Sequence, residues 1–345
     1  MKLPFSGSLH DAIAIDLGTA NILAHQRGRG IVFNEPAVVA IMEEMGRQRV
    51  LAVGQEAKRM VGRTPGNIRA IRPMRDGVIG DFEVAEQLIG YVIRKVRPGY
   101  RLRRPMVAIS VPSGATPVER RAIRQAAEAS GAREALLIDE PMAAAIGAGL
   151  PVRAASGSMI VDIGGGTTEL AVVALGGTVL SRSLRMAGHA MDAGVAAYLR
   201  REHRLLIGEE TAERIKLAIG AAHPPQEGEG RTMPIRGRDM IQGIPKELII
   251  SEMEIATAVA ESVSSIVDLV RNSLELVPPE IAGDIVENGI TLTGGGSLLR
   301  GLDDVIQAST NLPVYISDTP LEDVALGVGQ ALENRSAYPF AFEVE

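Results

Sequence analysis

The chain has no cysteine and no tryptophan. Without cysteine there is no disulfide framework, no thiolate metal site and no cysteine nucleophile, which agrees with a cytoplasmic setting. Aromatic residues make up only 3% against 46% hydrophobic residues, so any core has to be aliphatic. A surplus of Val, Ile, Leu and Ala is the composition of sheets covered on both faces. Positive charge is not in excess: the formal net charge of -6 argues against general nucleic-acid binding. Long apolar runs are missing as well. The longest uncharged one, Pro141 to Val152, has 12 residues, short of the roughly 20 that a bilayer-crossing helix needs, and it reads as a buried, alanine-rich helix. Met1 to Ser6 carries one lysine with no long apolar stretch behind it, so no signal peptide is expected. A length of 345 residues calls for two domains.

What the chain does contain is one phrase written twice. Ile13-Ala14-Ile15-Asp16-Leu17-Gly18-Thr19 returns as Ile160-Val161-Asp162-Ile163-Gly164-Gly165-Gly166-Thr167-Thr168. Each copy is a β-branched run ending in Asp, then an aliphatic residue, then glycine and hydroxyls, the pattern of a strand entering a tight turn. Two such turns face to face would grip a polyphosphate through backbone N–H groups, because glycine lets the backbone come close. Asp16 and Asp162 would hold a hydrated divalent cation. A single copy reads equally well as an ordinary strand end; two copies far apart point to a duplicated fold with a nucleotide between its halves.

The segments around these turns alternate strands and helices, an α/β plan. Asn21 to Ala24 and the turn Gln26 to Gly30 suggest a hairpin. Residues 31–75 look like a small insertion with strand-like runs at Ala37 to Met42 and Val50 to Val53. Apolar residues at helical spacing predict a helix from Phe82 to Val96. Met106 to Val111 and Ala135 to Ile138 read as strands. Thr116, Pro117 and Glu119 mark a capped helix start, and Ser251 with Glu254 marks another, ahead of a long helix to about Leu276. In the second half, strands are predicted at Met159 to Asp162, Leu170 to Ala174 and Ile290 to Thr293, with helices over Met191 to Arg201 and Glu209 to Ile219.

Several residues carry candidate chemistry. Gly294-Gly295-Gly296-Ser297 follows a strand; it is either a plain strand-to-helix turn or a flat floor under a purine. Glu213 and Lys216 share a helix face, either as a surface ion pair or as contacts to ribose and base. Glu140 stands between a strand and a helix. It either favours the positive helix end or orients a water toward a γ-phosphate, a reaction that needs positioning more than a strong base. Arg94 to Arg104 holds six Arg or Lys in eleven residues, and its loop carries Tyr100 and Leu102. That loop is either a solvated basic surface or a seat on anionic lipid, where each basic residue contributes about 1 kcal/mol. Leu3-Pro4-Phe5 is a second candidate membrane contact.

Taken together, Asp16 to Asn21, Arg72 to Val78, Val111 to Thr116, Asp139 to Ala145, Asp162 to Glu169 and Leu292 to Gly296 resemble the MreB family of bacterial actins. Asn34-Glu35-Pro36 and Gly62-Arg63-Thr64-Pro65-Gly66 are specific to that family within the wider actin, sugar-kinase and Hsp70 superfamily. The resemblance runs from about Asp11 to Glu333. It implies an α/β actin-like fold of two lobes, each with a duplicated sheet-and-helix core and a smaller subdomain, and a nucleotide in the interlobe cleft. Lobe I would span 1–150 plus 315–345, with its small subdomain at about 33–75. Lobe II would span 151–314, with its own at about 190–250.

The resemblance further implies ATP and Mg²⁺ in the cleft, slow ATP hydrolysis and homopolymer filaments. These would lie in the cytoplasm, peripheral on the inner face of the membrane, with cell-shape and wall-synthesis membrane proteins as partners, and would maintain rod shape. Carried over by motif, the nucleotide contacts would be Thr19, Ala20, Asn21, Gly164, Gly165, Gly166, Thr167, Glu213, Arg214, Ile215, Lys216, Gly294, Gly295, Gly296 and Ser297. Glu140 and Thr167 would place the attacking water. Two departures stand out. Ala187-Gly188-His189 replaces the family's Gly-Gly-Asp, which opens the alternative of a filament protein with little ATPase activity, and the apolar tail Ala337 to Phe342 is free to dock on a partner or membrane. A small-molecule kinase of the same superfamily is the other alternative, with Glu140 as its acid. An Hsp70-like chaperone would need a peptide-binding domain, for which about a dozen residues remain past Glu333.

Overall fold

A computed structural model describes residues 12–44, 47–75, 77–97 and 104–343. Leu3, Phe5, Tyr100 and Leu102 therefore lie outside the described residues. The first half opens with strands β1 (Ile13–Leu17), β2 (Asn21–Gln26) and β3 (Gly30–Pro36). The inserted segment follows as β4 (Val39–Glu44), β5 (Arg47–Val53), helix α1 (Gln55–Lys58) and β6 (Ile68–Ile71), then the short β7 (Met74–Arg75) and β8 (Val78–Ile79). Helix α2 (Phe82–Val96), β9 (Met106–Val111), α3 (Pro117–Ala129), β10 (Glu134–Asp139) and α4 (Glu140–Gly147) complete it.

The second half has β11 (Ser158–Ile163), β12 (Thr168–Ala174), β13 (Gly177–Leu184), α5 (Gly188–Glu202), β14 (Leu205–Leu206), α6 (Glu209–Ile219), β15 (Thr232–Asp239) and β16 (Pro245–Ser251). It continues with α7 (Glu252–Leu274), α8 (Pro279–Asn288), β17 (Ile290–Thr293), α9 (Leu302–Thr310), β18 (Val314–Ile316) and α10 (Asp323–Glu333).

The repeat in the sequence is a repeat in the sheets. One five-stranded sheet runs β3-β2-β1-β9-β10 and the other β13-β12-β11-β17-β18. In both, the first three strands form an antiparallel meander and the last two add in parallel. The inserted segment makes a third sheet, β5-β4-β6, and the second half carries a fourth, β14-β15-β16. Strand β18 pairs in parallel with β17, so residues 314–316 belong to the second sheet.

Among the described residues there are three large aliphatic cores and a small fourth of Val38, Ala40 and Ala57 in the inserted segment. One fills the outer side of the first sheet under α2 and α3, with Leu88, Ile89, Val92 and Ile123 buried. A second lies under α5, α7 and α9 on the other sheet. The third lies between the sheets: Ala14, Ala108 and Ile138 from one and Ile160, Ala171 and Val173 from the other close over α4 and α10. The alanine-rich run is thus a buried helix at the centre of the molecule only as far as Gly147, its side chains small because a sheet and a second helix crowd it. No described helix is long and apolar enough to cross a membrane. The tail departs from the expectation of a free docking segment. Ala341 and Phe342 are buried in this central core, Tyr338 and Phe340 pack beside it, and Glu343 pairs with Arg120 and Arg124.

Candidate functional site

The repeated turns come together where the two halves face each other. Asp16 lies on β1, and its Oδ1 accepts a hydrogen bond from Ser110 Oγ at 2.9 Å. Asp162 lies on β11, the matching strand. In the second turn Gly164 N donates to Thr167 O at 2.9 Å. The start of α5 docks on the same turn: Gly188 N donates to Gly164 O at 3.1 Å and His189 N to Gly165 O at 2.8 Å. A Cβ on Gly165 would stand 2.7 Å from Ala20 Cβ, so glycine is what lets the two loops approach. They form opposing walls of one cleft of about 600 Å³, a volume suited to a nucleotide.

Of the expected contacts, Thr19, Ala20, Asn21, Gly164, Gly165, Thr167, Glu213, Lys216, Gly294, Gly295 and Gly296 line this cleft together with Asp16, Glu140 and Asp162. Gly166, Arg214, Ile215 and Ser297 are not among its lining residues. Ile215 is fully buried in the second half's core, Arg214 faces solvent, and the Ser297 hydroxyl donates to Gly294 O at 2.7 Å. Helical period explains the difference. On α6 the residues facing the cleft are Glu213, Lys216 and Leu217, followed by Gly220 just past the helix, spaced three and four apart. That spacing was the signal that would have replaced Arg214 and Ile215 with Leu217 and Gly220. Arg231, Leu299, Arg300, Pro320 and Leu321 also line the cleft and carry no motif that announces them.

The surface pair expected between Glu213 and Lys216 does not form. Lys216 Nζ donates to Gly188 O at 2.8 Å and pairs with Asp192 at 2.8 Å, which brings the ammonium beside the second loop. Glu213 reaches across the cleft to Lys58 at 2.7 Å. Two further ion pairs span the gap in the same way, Arg63 to Glu210 at 2.6 Å and Arg72 to Glu209 at 2.8 Å. Helix α6 is therefore tied by its first turns to the inserted segment on the opposite side.

The cleft floor is acidic. Burial raises Asp16 to about 6, partly offset by the Ser110 hydroxyl. Burial, then the charges of Asp16, Glu169 and Asp323, raise Asp162 to about 8. Glu140, the first residue of α4, is pushed well above the usual carboxylate range by burial, Asp162 and Asp16. Its neighbour Asp139 is held by Arg120 at 2.7 Å. Beneath them Glu169 is buried and accepts hydrogen bonds from Ser113 N at 3.2 Å and Ser183 Oγ at 2.5 Å. Carboxylates that repel one another in a buried pocket fit a cation brought in with the ligand. Among the described residues no three acidic or histidine side chains cluster at ligating distance, so the donor set suits an ion held through water and ligand oxygens. His189, lining the same cleft, is pushed down to about 4 by burial and by Arg72 and Lys216, so it is neutral at pH 7.

Comparisons with known proteins agree with this geometry. The family described as MreB/Mbl protein matches residues 10–339. The cell shape-determining protein MreB of Escherichia coli K12 is 52% identical over 336 residues, covering 96% of each chain. The cell shape-determining protein Mbl of Bacillus subtilis 168 is 47% identical over 327 residues, 95% of this chain and 97% of that protein. The crystal structure of MreB5 of Spiroplasma citri bound to AMPPNP superposes with a TM-score of 0.88 at 39% identity, covering 94% of this chain and 97% of that one, and the same protein is known bound to ADP. The fold is actin-like.

Proposed function

This chain belongs to the MreB/Mbl family of cell shape-determining proteins, and from that premise we propose that it is an ATP-binding filament protein that hydrolyses ATP slowly. The observation that carries the reading is the pair of opposed glycine loops over an acidic floor, in a cleft of nucleotide size. The nucleotide-bound structures of the Spiroplasma citri relative support it. Thr19 to Asn21 with Gly164, Gly165 and Thr167 take the phosphates, Lys216 neutralises them, and Gly294 to Gly296 lie under the base. Asp16 and Asp162 would hold Mg²⁺ through water; when bound, the ion supplies charge neutralisation at the phosphates.

Glu140 accepts a hydrogen bond from the attacking water and Thr167 fixes its second contact. Positioning dominates phosphoryl transfer, so these two residues set the rate without forming a covalent bond. The lobes divide near residue 150 and again after β18, and the smaller sheets around 39–71 and 205–251 are their outer subdomains. The chain assembles head to tail with copies of itself, since a contact that does not close on itself yields an open polymer. Filaments lie on the inner face of the cytoplasmic membrane, with Leu3, Phe5, Tyr100 and Leu102 as contacts, and meet the membrane proteins of cell-wall synthesis.

The test is sedimentation and electron microscopy of the purified chain on anionic lipid, with and without Mg-ATP, alongside phosphate release. Nucleotide-dependent filaments and slow release are expected. Glu140→Ala should slow release on the order of 10²-fold with ATP affinity within a few-fold. Equal turnover in that variant would remove Glu140 from the mechanism.

A further inference from the structure

Beyond Lys216 the cleft has a second cationic group that the phosphate loops do not explain. Helix α6 advances 1.5 Å per residue, so Gly220 stands about one turn further along than Lys216, where a Cβ would stand 3.1 Å from Leu299 Cδ1. At that end the lining is Leu217, Gly220, Leu299, Arg231 and Arg300. Both guanidinium groups bind one carboxylate, Glu252 at the start of α7. Arg231 Nε stands 3.2 Å from Glu252 Oε2, and Arg300 pairs with Glu252 Oε1.

The Glu252 side chain is 7% exposed, whereas those of Arg231 and Arg300 are 47% and 46% exposed. The backbone fastens the group as well. Arg231 N donates to Glu252 Oε2 at 3.1 Å, Glu252 N donates to Arg231 O at 2.7 Å, and Ala222 N donates to Arg300 O at 2.8 Å. A sunken carboxylate thus fixes two half-exposed planar cations, and both arginines line the cleft together with Leu217 and Leu299.

A guanidinium held in this way is preorganised to lie flat on a heterocycle, which an ammonium cannot do. We propose that Arg231 and Arg300, oriented by Glu252, form the base-gripping edge of the cleft and contact the purine of the bound nucleotide. Glu252 is a positioning residue that acts through the two arginines. The inference rests on reading the cleft as a nucleotide site, and the phosphates are left to Lys216 and the loops.

The experiment measures the affinities of ADP and of magnesium tripolyphosphate, which has no base, by competition against a fluorescent ATP. Arg300→Gln and Arg231→Gln should each weaken ADP roughly tenfold while leaving tripolyphosphate within about twofold. Arg300→Lys, which keeps the charge but not the plane, should lose nearly as much as Arg300→Gln, and Glu252→Gln should follow the arginine variants. Thermal unfolding reports whether each variant is folded; should Glu252→Gln or Arg231→Gln fail to fold, the two Arg300 variants decide the outcome. Unchanged ADP affinity, an equal loss for both ligands, or full rescue by lysine would overturn the proposal. Folded wild-type protein that binds neither ligand would instead overturn the nucleotide reading, and the proposal with it.

Discussion

Asp162 is the residue most at odds with its surroundings. Its carboxyl rises from 3.8 to about 8 because burial and the charges of Asp16, Glu169 and Asp323 all oppose ionisation. Between those two values the folded chain keeps a proton that the unfolded chain has released. Stability of the nucleotide-free protein therefore falls as pH rises from about 4 to about 8, since the native state binds more protons across that window. Asp162→Asn removes the buried charge, so it should raise the unfolding midpoint at pH 8 by the equivalent of ~2 kcal/mol and flatten the pH profile. The same variant should weaken Mg-ATP, because a cation and its waters lose a carboxylate. Melting curves at pH 5 and pH 8 with a binding titration check both, and a variant no more stable at pH 8 would show that the acidic floor is already relaxed. The two aspartates were legible in the sequence because a strand, an acid and a glycine turn occur twice. Arg231 and Arg300 were not, because what brings them to the cleft is their common partner Glu252, 21 and 48 positions away by residue number.

At the scale of elements, legibility followed local chemistry. Thr116 and Glu119 close a capping box at the start of α3, and Ser251 and Glu254 do so at α7; both boxes are visible in four residues of sequence. Helix α5 begins at Gly188 rather than Met191 because the Gly164-Gly165 turn accepts its first N–H groups, a partner far away along the chain. Strand β13 carries an exposed edge with little alternation, so period alone did not expose it. Helix α6 binds the opposite side through Glu209, Glu210 and Glu213. These pairs are part exposed, and such pairs contribute about 0.2–1 kcal/mol each. The double variant Glu209→Gln/Glu210→Gln should therefore speed release of a fluorescent nucleotide roughly three- to tenfold, with Glu213 left in place. Added salt should speed release from the wild type more than from the variant. Release rates that ignore both the substitutions and salt would mean that the ion pairs do not hold the cleft shut.

On the whole-molecule scale, the halves meet through two helices laid backbone to backbone. Helix α4 leaves the first sheet and packs on the second, while α10 returns from the second sheet and packs on the first, both inside the central core. Their crossing is closer than side chains allow. A Cβ on Gly327 would stand 1.8 Å from Ala143 O, and one on Gly147 would stand 1.8 Å from Asp323 O. The obstacle in each case is main chain, which cannot swing aside as a side chain would. Because α4 starts at Glu140 on the cleft floor, any rotation of one half against the other has to pass through this crossing. Gly327→Ala should cost at least about 3 kcal/mol, at the upper end for overpacking, a fall of at least about 4 °C in unfolding midpoint for a chain of this size. Gly283→Ala on α8 is the control, since a Cβ there meets nothing within 4 Å. It should leave the midpoint unchanged or slightly higher by trimming the unfolded chain's freedom. Equal melting of the two variants would mean that the helices have slack and that the cleft does not turn on their contact.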